Sequence, residues 1–281
     1  MQLETKIYQK ENQLKIGKLI KASVKDLWRS HFLAKQLATR DIKSQYRQSF
    51  LGIIWVFITP LVSASVWVFL NLTGTIKLSD TGVPYALYAF TGTLLWSIIN
   101  ESINTPTVAT NGARGIITKI NFPKEALILS GIYKQLFNTA IKVGLLVILI
   151  FVFGVGFHWS LLLLPLVILV AILFGNTLGL LITPIALIYN DISKIVSTVM
   201  SLLMYLTPVV YVIPKSGLMK QIMEINPCTS IIITARDVAF GTTPEYSTYF
   251  LVIFLISSCL FFVGLVFYRI SIPIIVERLS A

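Results

Sequence analysis

The sequence predicts an all-α integral membrane protein with six transmembrane helices. Hydrophobic residues make up 56% of the 281 residues and charged residues only 12%, about half the charged fraction of a typical soluble domain. The apolar residues are gathered into six runs that are long enough to cross a bilayer. Lysine and arginine are concentrated ahead of the first run, because residues 1–50 hold 11 of the 23.

The six runs are the predicted spans, and each approaches the roughly 20 apolar residues that a membrane-crossing helix needs. They are Leu51–Leu72, Pro84–Thr105, Lys134–Gly156, Leu161–Ile188, Ile192–Ile213 and Ser247–Tyr268. Basic residues are enriched in the cytoplasmic loops of membrane proteins. With the N-terminus inside, the inside segments hold 18 Lys and Arg and the outside loops hold four. Both termini are therefore predicted to be cytoplasmic, in a multi-pass protein of the cell inner membrane.

The segment before the first span, residues 1–50, is predicted to form a cytoplasmic amphipathic helix over residues 14–50. Its apolar residues recur at near-helical spacing and lysines fill the gaps between them. These apolar residues are Ile16, Ile20, Val24, Leu27 and Trp28. Such a pattern is typical of a helix that lies along the membrane interface, and its positive charge favours anionic lipid over nucleic acid as the partner.

Two loops and a tail complete the predicted organisation around the transmembrane domain, residues 51–268. In the inside loop 106–133, Asn121 and Pro123 indicate a helix start, and Glu125 suits the positive end of that helix. The outside loop 214–246 is too short to span twice and too apolar for a free loop. The Asn226–Pro227 pair divides it into two short helices that are predicted to re-enter the outer leaflet. Residues 269–281 form a cytoplasmic tail.

The sequence contains no visible source of energy and no catalytic or metal site. A G-x-x-x-x-G-K-[ST] motif, which holds ATP phosphates, is absent. The two histidines do not form a metal-binding motif, and Cys228 and Cys259 do not suggest a disulfide or a metal site. Glu101 is the one clear carboxylate within a span, which is a poor basis for a proton relay. Lys142, in the third span, is predicted to extend its ammonium group toward the interface.

Four segments occur in a specific order. The first is R-D-x-K-x-x-Y-x-x-S-x-L-G-x-x-W-x-x-x-x-P-L, from Arg40 to Leu61, in which Ser49 and Pro60 take part. By itself it is compatible with a basic anchor and a proline-kinked helix. The others are K-I-N-F-P-K-E at Lys119–Glu125, L-T-P-V-V-Y at Leu206–Tyr211, and Asn226–Pro227 followed by Arg236. Together they resemble the membrane subunits of type 2 ABC exporters, which move O-antigen, capsule or teichoic acid chains.

The resemblance implies a permease subunit that is not itself an enzyme. Two separate ATP-binding subunits, which hold ATP and magnesium, would supply the energy, and two copies of this chain would join mainly through the first and fifth spans. The loop Asn111–Lys124 would be the main coupling helix, seated in a groove of the ATP-binding subunit. The contact residues implied for this helix are Arg114, Gly115, Ile116, Ile117 and Lys119.

The implied cargo is a glycan linked to a polyprenyl diphosphate, with O-antigen as the leading candidate. Arg40, Lys43 and Arg47 share one helix face and would receive either this diphosphate or the head groups of membrane lipid. Aromatic side chains would line a channel for the sugar chain or anchor the spans at the interfaces. They are Trp55, Trp67, Tyr85, Tyr88, Trp96, Tyr205 and Tyr211.

Four other functions remain open from the sequence. Teichoic acid or capsule export would need the same kind of permease. A type 2 ABC permease for a drug or a lipid usually lacks the basic interface helix and the full opening motif. A membrane transferase would need clustered acidic metal ligands, and a secondary transporter would need an acidic relay. The G-x-x-x-G of Gly175–Gly179 permits a close helix contact and is compatible with a seam within the chain.

Overall fold

A computed structural model describes residues 16–47, 50–75, 81–117, 119–120 and 122–280. Within these ranges the regular structure is helical and contains no strand. The α-helices are α1 (Ile16–Arg29), α2 (His31–Arg47), α3 (Trp55–Leu72), α4 (Tyr85–Gly112), α5 (Arg114–Ile117), α6 (Glu125–Val152), α7 (Leu164–Ile188), α8 (Asn190–Tyr205), α9 (Leu218–Ile225), α10 (Pro227–Phe240) and α11 (Ser247–Ser280). The predictions for residues 1–15, Ser49, Lys77 and Asn121 lie outside the described residues.

Four helical stretches in the described part of the chain are long and apolar enough to cross a membrane. They are Gly52–Leu72, Glu125–Val152, Trp159–Ile188 and Ser247–Ile275, and they contain most of the first, third, fourth and sixth predicted spans. The second predicted span lies in α4, which is long but more polar, and the fifth lies in α8, which has 16 residues. At about 1.5 Å per residue α8 is about 24 Å long, which is shorter than the roughly 30 Å hydrocarbon core. The count of six spans stays a prediction.

Helix α4 lies at the centre of the molecule, and this position explains its polar composition. Buried residues account for 18 of its 28. Its threonine hydroxyls donate to carbonyl oxygens one turn earlier, as from Thr91 to Leu87 at 2.7 Å and from Thr110 to Pro106 at 2.8 Å. Other hydroxyl bonds run to neighbouring helices, between Thr107 and Thr183 of α7 and between Thr110 and Tyr268 of α11, both at 2.8 Å. Because protein surrounds much of α4, these hydroxyl groups have partners that lipid could not offer.

The Gly175–Gly179 motif forms the seam between α7 and α4. A side chain at Gly175 would overlap Ser102, and one at Gly179 would overlap the backbone of Ile103 and come within 2.9 Å of Pro106. The two helices can therefore approach this closely only because both positions lack a Cβ atom. The motif therefore forms a close helix contact within the chain, in agreement with the predicted seam.

The N-terminal segment forms two helices, so the single helix predicted over residues 14–50 is wrong. The helical run ends at Arg29, Ser30 lies in a turn, and α2 follows from His31 to Arg47. The interruption is short, because the Ser30 N–H donates to the Asp26 carbonyl at 2.9 Å and the Ser30 carbonyl accepts from the Ala34 N–H at 2.8 Å. A second interruption precedes α3, where Gly52 takes a positive φ of 50° that favours glycine.

The fifth predicted span ends eight residues earlier than its predicted end at Ile213, because helix α8 stops at Tyr205. Pro208 explains this end, since proline has no N–H for a helical bond and disfavours helical backbone in the residue before it. On the same side of the fold, the predicted break at Asn226–Pro227 is confirmed. The Asn226 side chain accepts a bond from the Cys228 N–H at 3.0 Å, and α10 begins at Pro227. Whether α9 and α10 re-enter the membrane stays a prediction.

Candidate functional site at the α4–α6 connection

The chain between α4 and α6 is anchored on one side and exposed on the other. Ala113 and Ile117 are buried in a small apolar cluster with Leu127, against which Leu37 and Phe122 pack. By contrast, the side chains of the predicted contact residue Lys119 and of Ile120 point outward, and Gly115 is also exposed. This connection therefore has an inner face that joins it to the fold and an outer face that is open to another molecule.

The predicted coupling helix over Asn111–Lys124 is wrong in its extent. Helix α4 continues to Gly112, α5 is a single turn, and the described residues between it and α6, 119–120 and 122–124, form no further helix. Of the five predicted contact residues, Arg114 turns back into the fold and donates to the Leu187 carbonyl at the end of α7, at 3.2 Å. Ile116 is half-buried and Ile117 is buried. The outer face is thus carried by Gly115 and Lys119.

Arg269 of α11 joins α1 to the start of α6. Its Nη1 lies 2.8 Å from Asp26 Oδ2 and 2.7 Å from Glu125 Oε1, and 3.5 Å from Ser23 Oγ. The Glu125 side chain is only 3% exposed, and a buried carboxylate needs such a cation. Next to Arg269, Tyr268 is fully buried and hydrogen-bonds Thr110 of α4 at 2.8 Å. These bonds hold the ends of four helices beside the α4–α6 connection.

The three predicted head-group cations are exposed along α2. Arg40, Lys43 and Arg47 all have exposed side chains, whereas Ala34 and Ala38 on the other side of α2 are buried. Arg40 is partly neutralised, since its Nη2 lies 2.8 Å from Asp41 Oδ1. The exposed basic face is suited to a membrane surface or a phosphate group, and its ligand stays a prediction.

A polar network that the sequence did not reveal links α2, α4 and α6. Lys142 Nζ lies 2.8 Å from Glu101 Oε2 and 3.2 Å from Ser97 Oγ. Asn138 donates to Glu101 Oε1 at 3.0 Å, and Tyr46 donates to Asn138 Oδ1 at 2.8 Å. Burial and the Glu101 charge raise the pKa of Tyr46, which keeps its hydroxyl protonated. The prediction that Lys142 extends to the interface is therefore wrong, because its side chain is 11% exposed and ion-paired.

The predicted channel aromatics fall into three groups by their exposure. Trp55 and Tyr205 expose more than half of their side chains, whereas Tyr88 and Trp96 are buried within the chain. Trp67, Tyr85 and Tyr211 are half-buried and pack against the core. Tyr85 and Tyr88 donate to the carbonyls of Val210 and Tyr211 at 3.1 and 3.2 Å. Trp55 and Tyr205 thus have the most surface to offer a passing chain, and a channel-lining role stays a prediction for the whole set.

Arg236 joins the two motifs near the other end of the fold. It is buried and donates to the carbonyls of Pro208, at 2.6 Å, and of Val209. Its guanidinium carbon lies 3.7 Å from the centroid of the Tyr88 ring. Asn226 donates to the Leu206 carbonyl at 3.2 Å. The L-T-P-V-V-Y motif and the N-P…R motif are therefore parts of one contact, which the sequence spacing did not indicate.

Comparisons with known proteins agree with the motifs. The model of the ABC-2 type transporter family matches residues 33–240. The chain is 27% identical over 220 residues to the O-antigen export system permease protein RfbA of Myxococcus xanthus, covering 77% of this chain and 84% of the relative. Two proteins of the same name from Klebsiella pneumoniae are 24% and 23% identical, over 75% and 83% of this chain and 81% and 89% of the relatives. The residues matched by the family model run from α2 to the end of α10 and include the whole α4–α6 connection. On this match the chain belongs to the ABC-2 type transporter family.

Proposed function

We propose that the chain is the membrane subunit of an ATP-driven exporter that moves a lipid-linked polysaccharide, with O-antigen as the leading substrate, across the inner membrane. Membership of the ABC-2 family supports a permease role, with ATP hydrolysis supplied by a partner subunit. The names of the three relatives support O-antigen export in particular. Two copies of the chain would form the conduit, because six helices are too few to surround a sugar chain.

The geometry of the α4–α6 connection supports a mechanism in which a partner subunit moves the helices. A partner can move the helices only through contacts that transmit force, and a flexible loop would absorb the motion. Here the inner face is buried, Arg114 bonds the end of α7, and Arg269 bonds the start of α6. A push on the outer face at Gly115 and Lys119 would therefore reach several helix ends at once.

The ion-paired state of Glu101 weighs against a secondary transporter. A proton relay needs a series of acidic groups through the spans, whereas the side-chain groups that bond Glu101 are an ammonium and an amide. Glu101 accepts from Lys142 and Asn138. Teichoic acid and capsule chains would use the same coupling surface, so they differ from O-antigen only in the cargo.

Substitution at Gly115 tests the coupling surface. A Cβ atom at Gly115 meets nothing within 4 Å, so Gly115→Trp adds bulk to the outer face without disturbing the fold. We expect the variant to insert normally but to lose the ATP-binding subunit on purification, together with surface polysaccharide in cells. Gly144→Trp is the matched control, since Gly144 is also exposed, on α6, with nothing within 4 Å. Normal partner binding and normal export in Gly115→Trp would contradict the proposal.

A further inference from the structure

A cavity of about 340 Å³ lies between α2, α3, α4 and α6. This volume is at the lower end of the range for small-ligand pockets. Its polar and aromatic lining includes Gln45, Tyr46, Trp55, Glu101, Asn138 and Lys142. The cavity thus combines an exposed aromatic ring with the polar network that joins these helices.

The polar side of this cavity is held in position before any ligand arrives. Glu101 is fixed by Lys142 and Asn138, and Asn138 is in turn fixed by Tyr46. The Glu101 side chain is nevertheless 29% exposed. A carboxylate can accept about four hydrogen bonds and an ammonium group can donate three. The pair therefore keeps capacity to bond a ligand and offers it both donors and acceptors.

The opposite side of the cavity is apolar. The Trp55 side chain is 52% exposed and belongs to the lining. The face of an indole ring carries partial negative charge, and the C–H groups on one face of a pyranose ring carry partial positive charge. A sugar ring can therefore lie against Trp55 while its hydroxyl groups reach the Glu101–Lys142 pair.

The charges of the lining discriminate between classes of ligand. The Glu101–Lys142 pair carries no net charge, so it offers a phosphate no net attraction, whereas the exposed cations of α2 do. A lipid tail would remove water from the ion pair without replacing its hydrogen bonds, which is costly. A neutral, hydroxyl-rich ring needs no net attraction and can replace these hydrogen bonds. The lining therefore favours a neutral sugar residue.

A second cavity of about 420 Å³ adjoins the first. Gln45 and Glu101 belong to the linings of both. The second cavity is also rich in polar side chains, among them Asp41, Asn104 and Gln135. Two neighbouring polar cavities that share a wall are suited to two consecutive units of one chain.

We propose that the cavity beside Trp55 and the Glu101–Lys142 pair is a binding subsite for one neutral sugar residue of the transported polysaccharide. This inference rests on the proposed function and deepens it, because it places a part of the cargo on named side chains of a single copy. The subsite selects hydroxyl groups through the ion pair and the apolar sugar face through Trp55.

Protection of an engineered thiol tests the subsite. Thr59 lines the cavity, and its hydroxyl bonds only the Trp55 carbonyl within its own helix, so Thr59→Cys preserves the fold. Cys259→Ser removes the exposed native thiol, whereas Cys228 is buried. The full chain, with its ATP-binding subunits in lipid nanodiscs, is labelled by a small maleimide. The added probe is the polysaccharide of the source cells, freed from lipid by mild acid.

We expect the polysaccharide to slow labelling of Thr59→Cys in a saturable way, about tenfold at about ten times the half-protecting concentration. Trp55→Leu should abolish this protection, whereas Trp159→Leu, at an exposed tryptophan outside the cavity, should retain it. Val62→Cys, exposed on the same helix but outside the cavity lining, should label equally with and without polysaccharide. Inorganic phosphate should give no protection.

Three results would overturn the subsite. They are equal labelling of Thr59→Cys with and without polysaccharide, protection that survives Trp55→Leu, and protection by phosphate alone. Deletion of the gene separates this failure from failure of the proposed function. If deletion abolishes surface polysaccharide while Thr59→Cys stays unprotected, the chain is an exporter whose cargo does not use this cavity. If deletion leaves surface polysaccharide intact, the proposed function itself is wrong.

Discussion

At the scale of single residues, the contact between Arg236 and Gly92 shows how the fold accommodates a buried charge. Arg236 is 3% exposed, and its guanidinium donates hydrogen bonds to the carbonyls of Pro208, Val209 and Tyr88. A buried cation is tolerated only where such acceptors replace water. Gly92 of α4 provides the space, because a Cβ atom at this position would overlap both Val209 and Arg236.

The first prediction is that Gly92→Ala destabilises the protein. The added methyl group has to displace either the Val209 backbone or the buried guanidinium, and overpacking of this kind costs about 1–3 kcal/mol. We expect the melting temperature of the purified chain in detergent to fall by several degrees. Gly144→Ala is the control, since a Cβ atom there meets nothing within 4 Å and alanine favours a helix. An equal melting temperature for Gly92→Ala and the unsubstituted chain would refute the role of Gly92.

The sequence motifs contain the residues of this contact but do not indicate that these residues meet. Pro208, Asn226 and Arg236 all belong to motifs that the sequence displays in order. That they meet depends on how α8, α10 and α4 are packed, and hydrophobic periodicity carries no information about this packing. The same limit hid the Glu101–Lys142 pair, since each residue alone reads as an isolated charge in a span.

At the scale of helices, the sequence predicted most elements but misplaced several of their ends. The apolar runs locate α3, α6, α7 and α11 because lipid-facing helices need continuous apolar residues. The ends depend on particular residues, such as Pro208 after α8 and Ser30 between α1 and α2. The N-terminal region of α6, from Glu125 onward, lies outside the predicted span since it is buried by neighbouring helices rather than by lipid.

The second prediction concerns α1, whose position depends on Arg269. Arg269→Gln removes the cation that bonds Asp26 and leaves the buried Glu125 without its partner. The pair with Asp26 is partly exposed, so its loss costs about 1 kcal/mol or less and raises the fraction of molecules in which α1 is open about fivefold. The loss of the cation beside the buried Glu125 costs more, about 3–5 kcal/mol, and acts on the start of α6. We therefore expect faster amide hydrogen exchange in residues 16–29, measured by mass spectrometry, with no change in α7.

Lys21→Gln is the matched control for this experiment. It removes one positive charge from α1 itself, at an exposed side chain in the middle of that helix. Exchange in residues 16–29 should then stay at the level of the unsubstituted chain. If Lys21→Gln and Arg269→Gln accelerate exchange equally, net charge rather than the ion pair with Asp26 and Glu125 holds α1 in place.

At the scale of the whole molecule, α3 and α8 are the helices least covered by the fold among those that contain predicted spans. Within the apolar window of Gly52–Leu72 only 11% of residues are buried, against 56% in that of Trp159–Ile188. In α8 only Met200 is buried. These are the first and fifth predicted spans, which the family resemblance assigns to the contact between two copies. Their exposed apolar faces are suited to burial against a second chain, although lipid would cover them equally well in a monomer.

The third prediction is that α3 of one copy contacts α8 of another. Val66 lies 11 residues after the start of α3 and Leu202 lies 12 residues after the start of α8, so both sit about 16–18 Å along their helices. Both side chains are exposed. We expect Val66→Cys in one tagged copy to cross-link to Leu202→Cys in a differently tagged copy, in a Cys259→Ser background in membranes. Ile148→Cys on α6 is the control, because its side chain is equally exposed but lies on a helix outside the predicted contact.

Two results would contradict the two-copy conduit. One is a complex that contains a single copy of the chain by native mass spectrometry. The other is cross-linking that is as efficient from Ile148→Cys as from Val66→Cys. In that case a single chain, with its central helix α4 already enclosed by protein, would leave no space for a polysaccharide.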